Sequence, residues 1–86
     1  MLHNYGISSL CLSKDNEILA SGDLKGNVKI WRISTGKCLK KFEKVFQDYI
    51  SFMIFGRDIS HLIISNKDIK VMGMKSGNML KEFKSD

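Results

Sequence analysis

Part of this chain is written twice, and that constrains its fold more than any other feature. The stretch VKIWRISTGKCLKKF, from Val28 to Phe42, returns as IKVMGMKSGNMLKEF from Ile69 to Phe83. Gly77 follows Gly36 by 41 residues, and Phe83 follows Phe42 by the same interval. In each copy a β-branched and apolar run meets a break, Thr35-Gly36 or Ser76-Gly77, and a second apolar run follows. Such runs bounded by Gly, Asn and Ser read as strands joined by turns. A period near 41 residues with several strands per unit predicts small sheets stacked side by side.

With 86 residues there is room for one small domain or part of a larger one. Apolar residues make up 43% of the chain, which argues against wholesale disorder. The net charge of +5 comes from 14 basic and 9 acidic residues, and both halves are mildly basic. No basic run exceeds Lys40-Lys41, whereas a nucleic-acid footprint usually clusters on one face. Cys11 and Cys38 lie 27 residues apart with no CxxC or His companion. That spacing suits neither zinc nor a disulfide frame, so two buried free thiols in a reducing compartment are expected. No apolar run approaches the ~18 residues of a membrane span, and MLHNYG lacks a signal core. A soluble, intracellular chain without a membrane partner is the expectation, cytoplasmic or nuclear.

Strands are expected from Ile7 to Ser13, Glu17 to Gly22, Asn27 to Ile33 and Lys37 to Phe42. Adjacent Lys40 and Lys41 suit an outer strand, because edge lysines discourage pairing with foreign strands. From Val45 to Phe55 the reading divides. Val45, Tyr49, Phe52 and Met53 fall at helical spacing, but Ile50-Ser51 and Arg57-Asp58 match Ile7-Ser8 and Lys14-Asp15, 43 residues earlier. The repeat favours a strand. Further strands are expected from His61 to Ser65, Asp68 to Met74 and Asn78 to Phe83, dividing the chain into units 1–43 and 44–86.

These residues resemble the WD-repeat β-propeller family. The resemblance is carried by Leu19-Ala20-Ser21-Gly22, Gly26-Asn27-Val28-Lys29-Ile30-Trp31 and Thr35-Gly36-Lys37-Cys38-Leu39, with Trp31-Arg32 in place of the signature Trp-Asp. It implies an all-β fold of two four-stranded antiparallel propeller blades, the second degenerate, as part of a larger β-propeller. It also implies a structural polar network of His3, Ser21 and Trp31. The family's turn aspartate falls at Lys25, which cannot accept a hydrogen bond. On that reading Lys25→Asp would restore the acceptor, and Asp23 would point elsewhere. In the second repeat Phe46 and Met72 stand where the network's His and Trp would be. Closed propellers use ~4–8 blades, so further blades must come from a longer chain or from copies of this one.

Catalysis would need a nucleophile with its base, a metal cluster or a phosphate-cradling loop. His3 and His61 have no such companions, and the glycines match no nucleotide fingerprint. No catalytic residue, metal or cofactor is therefore expected. Binding remains, and the resemblance implies loops on one rim carrying Tyr5, Lys25, Lys44, Phe46 and Tyr49. Aromatic anchors beside cations suit a protein interface; the competing reading packs Phe46 and Tyr49 between blades. A protein-interaction scaffold in a larger assembly is the leading function. The alternative is a nucleic-acid-associated propeller of a ribosomal or RNA-processing particle.

Overall fold

Alternating β-branched residues and turn-forming Gly, Asn and Asp produce eight short strands in the computed structural model, which describes residues 5–84. They are β1 (Ile7–Leu12), β2 (Ile18–Asp23), β3 (Val28–Arg32), β4 (Lys37–Phe42), β5 (Phe52–Phe55), β6 (His61–Ser65), β7 (Ile69–Gly73) and β8 (Met79–Phe83). Two antiparallel sheets result, ordered β1-β2-β3-β4 and β5-β6-β7-β8. Each strand pairs with its sequence neighbour, as short connections favour.

The repeat extends to irregularities of the backbone. In the first sheet the ladder slips between Ile30 and Trp31, leaving Leu39 extra; in the second it slips between Val71 and Met72, leaving Leu80 extra. Both bulges lie 41 residues apart. Gly36 and Gly77 share a φ of 74°, and each amide donates back to the end of the preceding strand, to the Arg32 and Gly73 carbonyls. An inserted residue of this kind bends and twists the outer strand.

Pleating gives each sheet two faces, and one face of each is buried in the seam between them. The first sheet contributes Ile18, Ala20, Val28, Ile30 and Phe42, and the second Met53, Leu62, Ile64 and Met72. Burying each large aliphatic side chain stabilises by about 1.5–3 kcal/mol. Strand β1 lies against β5 along one edge of this seam.

The segment between the sheets is neither helix nor long strand. β5 starts only at Phe52, and Val45, Phe46 and Ile50 of the preceding loop are buried in the seam. They sit on a loop tucked over the first sheet, tied by Val45 N–H to the Gly26 carbonyl (2.8 Å) and Ile50 N–H to the Asp23 carbonyl (3.2 Å), while of the residues at helical spacing Tyr49 and Phe52 are exposed. Close approach of backbones explains two glycines here. A β-carbon on Gly22 would lie 2.7 Å from Cβ of Ile50, and one on Gly26, whose φ is +86°, would overlap the Phe46 carbonyl.

Candidate protein-binding rim

Antiparallel connectivity sends the β2–β3 turn, the inter-sheet loop and the β6–β7 turn to one rim. The β2–β3 turn is organised by Asp23, which is buried and lies at the end of β2. One carboxylate oxygen accepts the Lys25 and Asn27 amides, both at 2.9 Å, and the other accepts the Asn27 side-chain amide at 3.1 Å. Asp23 therefore supplies the turn acceptor itself, contrary to the expectation that it points elsewhere. Turn amides left without strand partners need an acceptor, and the β2 terminus is the nearest place for one. Asn27 Oδ1 in turn accepts the Lys44 amide at 2.9 Å, fixing the loop in a left-handed step at Lys44 (φ 51°).

Three expected site residues meet on this scaffold. The Lys25 ammonium lies 5.7 Å from the centre of the Tyr5 ring, within cation–π range. Tyr5 and Lys44 line a polar cleft of about 300 Å³ together with Asn27, Lys29 and Lys41. Lys29 and Lys41 were not singled out from the sequence. They face each other across the β3–β4 ladder, and the Asp23 and Glu43 carboxylates that line the same cleft offset the cost of opposed like charges. Register counted from the Thr35-Gly36 turn does not pair them, because the bulge at Leu39 shifts it by one residue.

Phe46 and Tyr49 part company. Phe46 is buried, with the Lys70 ammonium 4.7 Å from its ring centre and donating to the Val45 carbonyl at 2.6 Å. An apolar ring held inside the seam is not an exposed anchor, so Phe46 leaves the rim surface. Tyr49 is exposed farther along the loop, where its carbonyl accepts from Asn66 at 3.3 Å, and it does not line the cleft.

No protein-family model matches the sequence. Over 50 residues, 58% of this chain, it is 42% identical to WD repeat-containing protein 55 of Arabidopsis thaliana, covering 14% of that protein. Over 49 residues, 57% of this chain, it is 26% identical to human DDB1- and CUL4-associated factor 4, covering 10% of it. Its fold superposes over 96% of its length on the RRP9 WD40 repeats (TM-score 0.82, 19% identity) and on U3-55K (0.86, 18%). The β-propeller domain of Cps50 (Swd1) from Myceliophteria thermophila gives 0.88 at 18% identity, again over 96% of this chain. The two sheets share the fold of the propeller blades in those solved structures. The chain spans 10% and 14% of the two curated relatives and 27%, 28% and 26% of the three solved chains, in the order given for each structure.

In the first blade the Trp31 indole donates to Ser21 Oγ at 2.9 Å, joining β3 to β2 on the face turned away from the second blade. His3 lies outside the described residues. Ile64 and Met72 take the places of Ser21 and Trp31 in the second blade, and both are buried in the seam. Apolar packing holds there what a hydrogen bond holds in the first.

The two cysteines differ. Cys11 is half-buried beside Phe55, and burial pushes its thiol up to about 11, partly opposed by a backbone hydrogen bond from Phe55. Cys38 is exposed on β4, because the outer strand turns that position to water rather than into a seam. Among the described residues no group of His, Cys, Asp or Glu is placed to hold a metal, and no helix is long and apolar enough to cross a membrane.

Proposed function

We propose that this chain is a non-catalytic protein-interaction scaffold within a WD-repeat propeller, binding its partner on the rim with Tyr5, Lys25 and Lys44. Lys29 and Lys41 extend that surface and Tyr49 flanks it. The observation that carries the reading is the cleft itself. It gathers an aromatic ring and several cations on a turn whose backbone is braced by Asp23 and Asn27. A braced rim loses little entropy when a partner docks. The name of the human relative records association with two other proteins, which supports an adaptor role. Further blades, from a longer chain or from copies of this one, cover the outer sheet faces, and the assembly is intracellular.

The test is site-specific photo-crosslinking in cells, with a photoreactive residue at position 25 or 44 and at Lys14 on the opposite rim. The rim positions should yield the same protein adduct and position 14 should not; the reverse pattern overturns the reading. A second reading rests on the lysines around Tyr5, since cations beside a stacking ring also suit single-stranded nucleic acid. Titration with a short oligouridylate separates the two. Binding whose logarithm falls with log salt by about 0.7 per phosphate contacted would favour RNA.

A further inference from the structure

A second recess opens at the other end of the seam, on the rim opposite Tyr5. It encloses about 490 Å³ between the two sheets. Its floor is Ile18 and Ile30 of the first sheet and Ile59 and Met74 of the second, with half-exposed Leu39 at one side. Arg32, Lys40 and Lys75 stand at its mouth against one carboxylate, Asp58. Asp58 already accepts from the Ser60 hydroxyl at 2.6 Å and the Ser60 amide at 3.2 Å. Lys40 is held in place by donating to the Lys75 carbonyl at 3.2 Å, and Arg32 is 4.0 Å from Glu17. The mouth therefore keeps a surplus of positive charge over an apolar floor.

Ile59 makes the recess more than a gap between sheets. Its φ is 57°, a left-handed conformation that β-branched side chains rarely take. The repeat-equivalent residue, Asn16, has φ 62°, and Asn tolerates that conformation readily. The second repeat thus holds an aliphatic side chain against the floor at a backbone position that disfavours it. Strain of this kind concentrates where a ligand is held.

We infer that this recess binds a short acidic peptide, seating one aliphatic side chain on Leu39, Ile59 and Met74 and flanking carboxylates on Lys40, Lys75 and Arg32. Its residues are separate from the Tyr5 rim, so the two sites fail or stand independently. The test uses the full 86-residue chain and fluorescein-labelled acetyl-Glu-Leu-Asp-Leu-Glu-amide, followed by anisotropy. Saturable binding that weakens with salt is expected. Replacing the acidic residues of the peptide by Lys, or its leucines by Ser, should abolish it. Lys75→Glu should weaken binding at least about threefold, as reversal of an exposed pair does. Ile59→Gly, which suits the left-handed backbone, should weaken it about tenfold through lost apolar contact. Lys81→Glu on β8 is the charge-matched control and should leave affinity unchanged. No saturable binding, equal binding of either altered peptide, or equal losses in Lys75→Glu and Lys81→Glu would overturn the inference.

Discussion

Phe42 and Phe83 hold the same place in their repeats and meet opposite surroundings: Phe42 is 5% exposed inside the seam and Phe83 is 51% exposed on the far face of the second sheet. Val28 and Ile69 differ in the same way, at 0% and 41%. On the first sheet's outer face Leu10 is 57% exposed, while its counterpart Met53 is 3% exposed. The uncovered faces are thus copies of the two sides of a seam that already exists.

Contiguous apolar faces of this kind drive association. The isolated chain should sediment as an associating species at micromolar concentration, and Ile69→Asp with Phe83→Asp should shift it toward monomer. A compact monomer in the unsubstituted chain would contradict the prediction. In urea melts Phe42→Ala should cost about 3–5 kcal/mol, whereas Phe83→Ala should stay within about 0.5 kcal/mol once association is suppressed.

Asp23 carries the β2–β3 turn, so Asp23→Ala should destabilise by about 2–4 kcal/mol through lost hydrogen bonds to a charged acceptor. Lys25→Asp should lower the melting midpoint, because it sets a second carboxylate beside a buried one whose acceptor role is filled. A raised midpoint for Lys25→Asp would return the turn to the arrangement inferred from resemblance alone.

How far the chain could be read from its letters depended on whether each residue obeyed a period. Val28, Ile30, Phe42 and their partners 41 residues on alternate as strands must, so the two four-stranded sheets were legible. Val45, Phe46 and Ile50 belong to a buried loop whose inward side chains follow no period, and the helical spacing of Val45, Tyr49, Phe52 and Met53 mixes buried residues with exposed ones. Resemblance put Phe46 on the rim, beside the competing reading that packs it between blades, and it is buried. Asp23 escaped because alternation describes where a side chain points along a strand, not which stranded amides lie at its end. Lys29 and Lys41 needed a register, which the bulge at Leu39 shifts by one residue and which no local pattern announces.

Acid should weaken the β1–β2 and β5–β6 hairpins. The Ser13 hydroxyl, at 2.6 Å, and then the Glu17 amide hold Asp15 below the usual carboxylate range, and the Ser60 hydroxyl and amide do the same for Asp58. Groups with depressed folded values add stability that is complete above the unfolded value, about pH 4, and is lost as pH falls through the folded one. The thermal midpoint of the chain should therefore drop more steeply below about pH 4 than that of the D15N/D58N double variant. Parallel curves would contradict it.

Alkaline conditions separate the thiols. With its value raised to about 11, Cys11 keeps its proton where an unfolded thiol, near 8.5, begins to lose it. Its contribution to stability is intact below about pH 8.5 and declines as pH rises from there. A thiol reagent at mildly alkaline pH should modify exposed Cys38 rapidly and Cys11 slowly, read by mass spectrometry of peptides. Equal rates would show that β1 and β5 part more often than the packed structure allows.

The loop that carries Val45, Phe46 and Ile50 has a consequence for the order of events as the chain is made. It rests on the β2–β3 turn through the Gly26 and Asp23 carbonyls, with Ile50 pressed on Gly22, so the surface it needs exists before the second sheet does. A ribosome releasing residues in sequence would expose an unlidded first sheet until Ile50 emerged, then close it with residues that belong to neither ladder. Release that stalls with Glu43 as the last residue emerged would prolong the open stage, and release that has reached Ser51 would not.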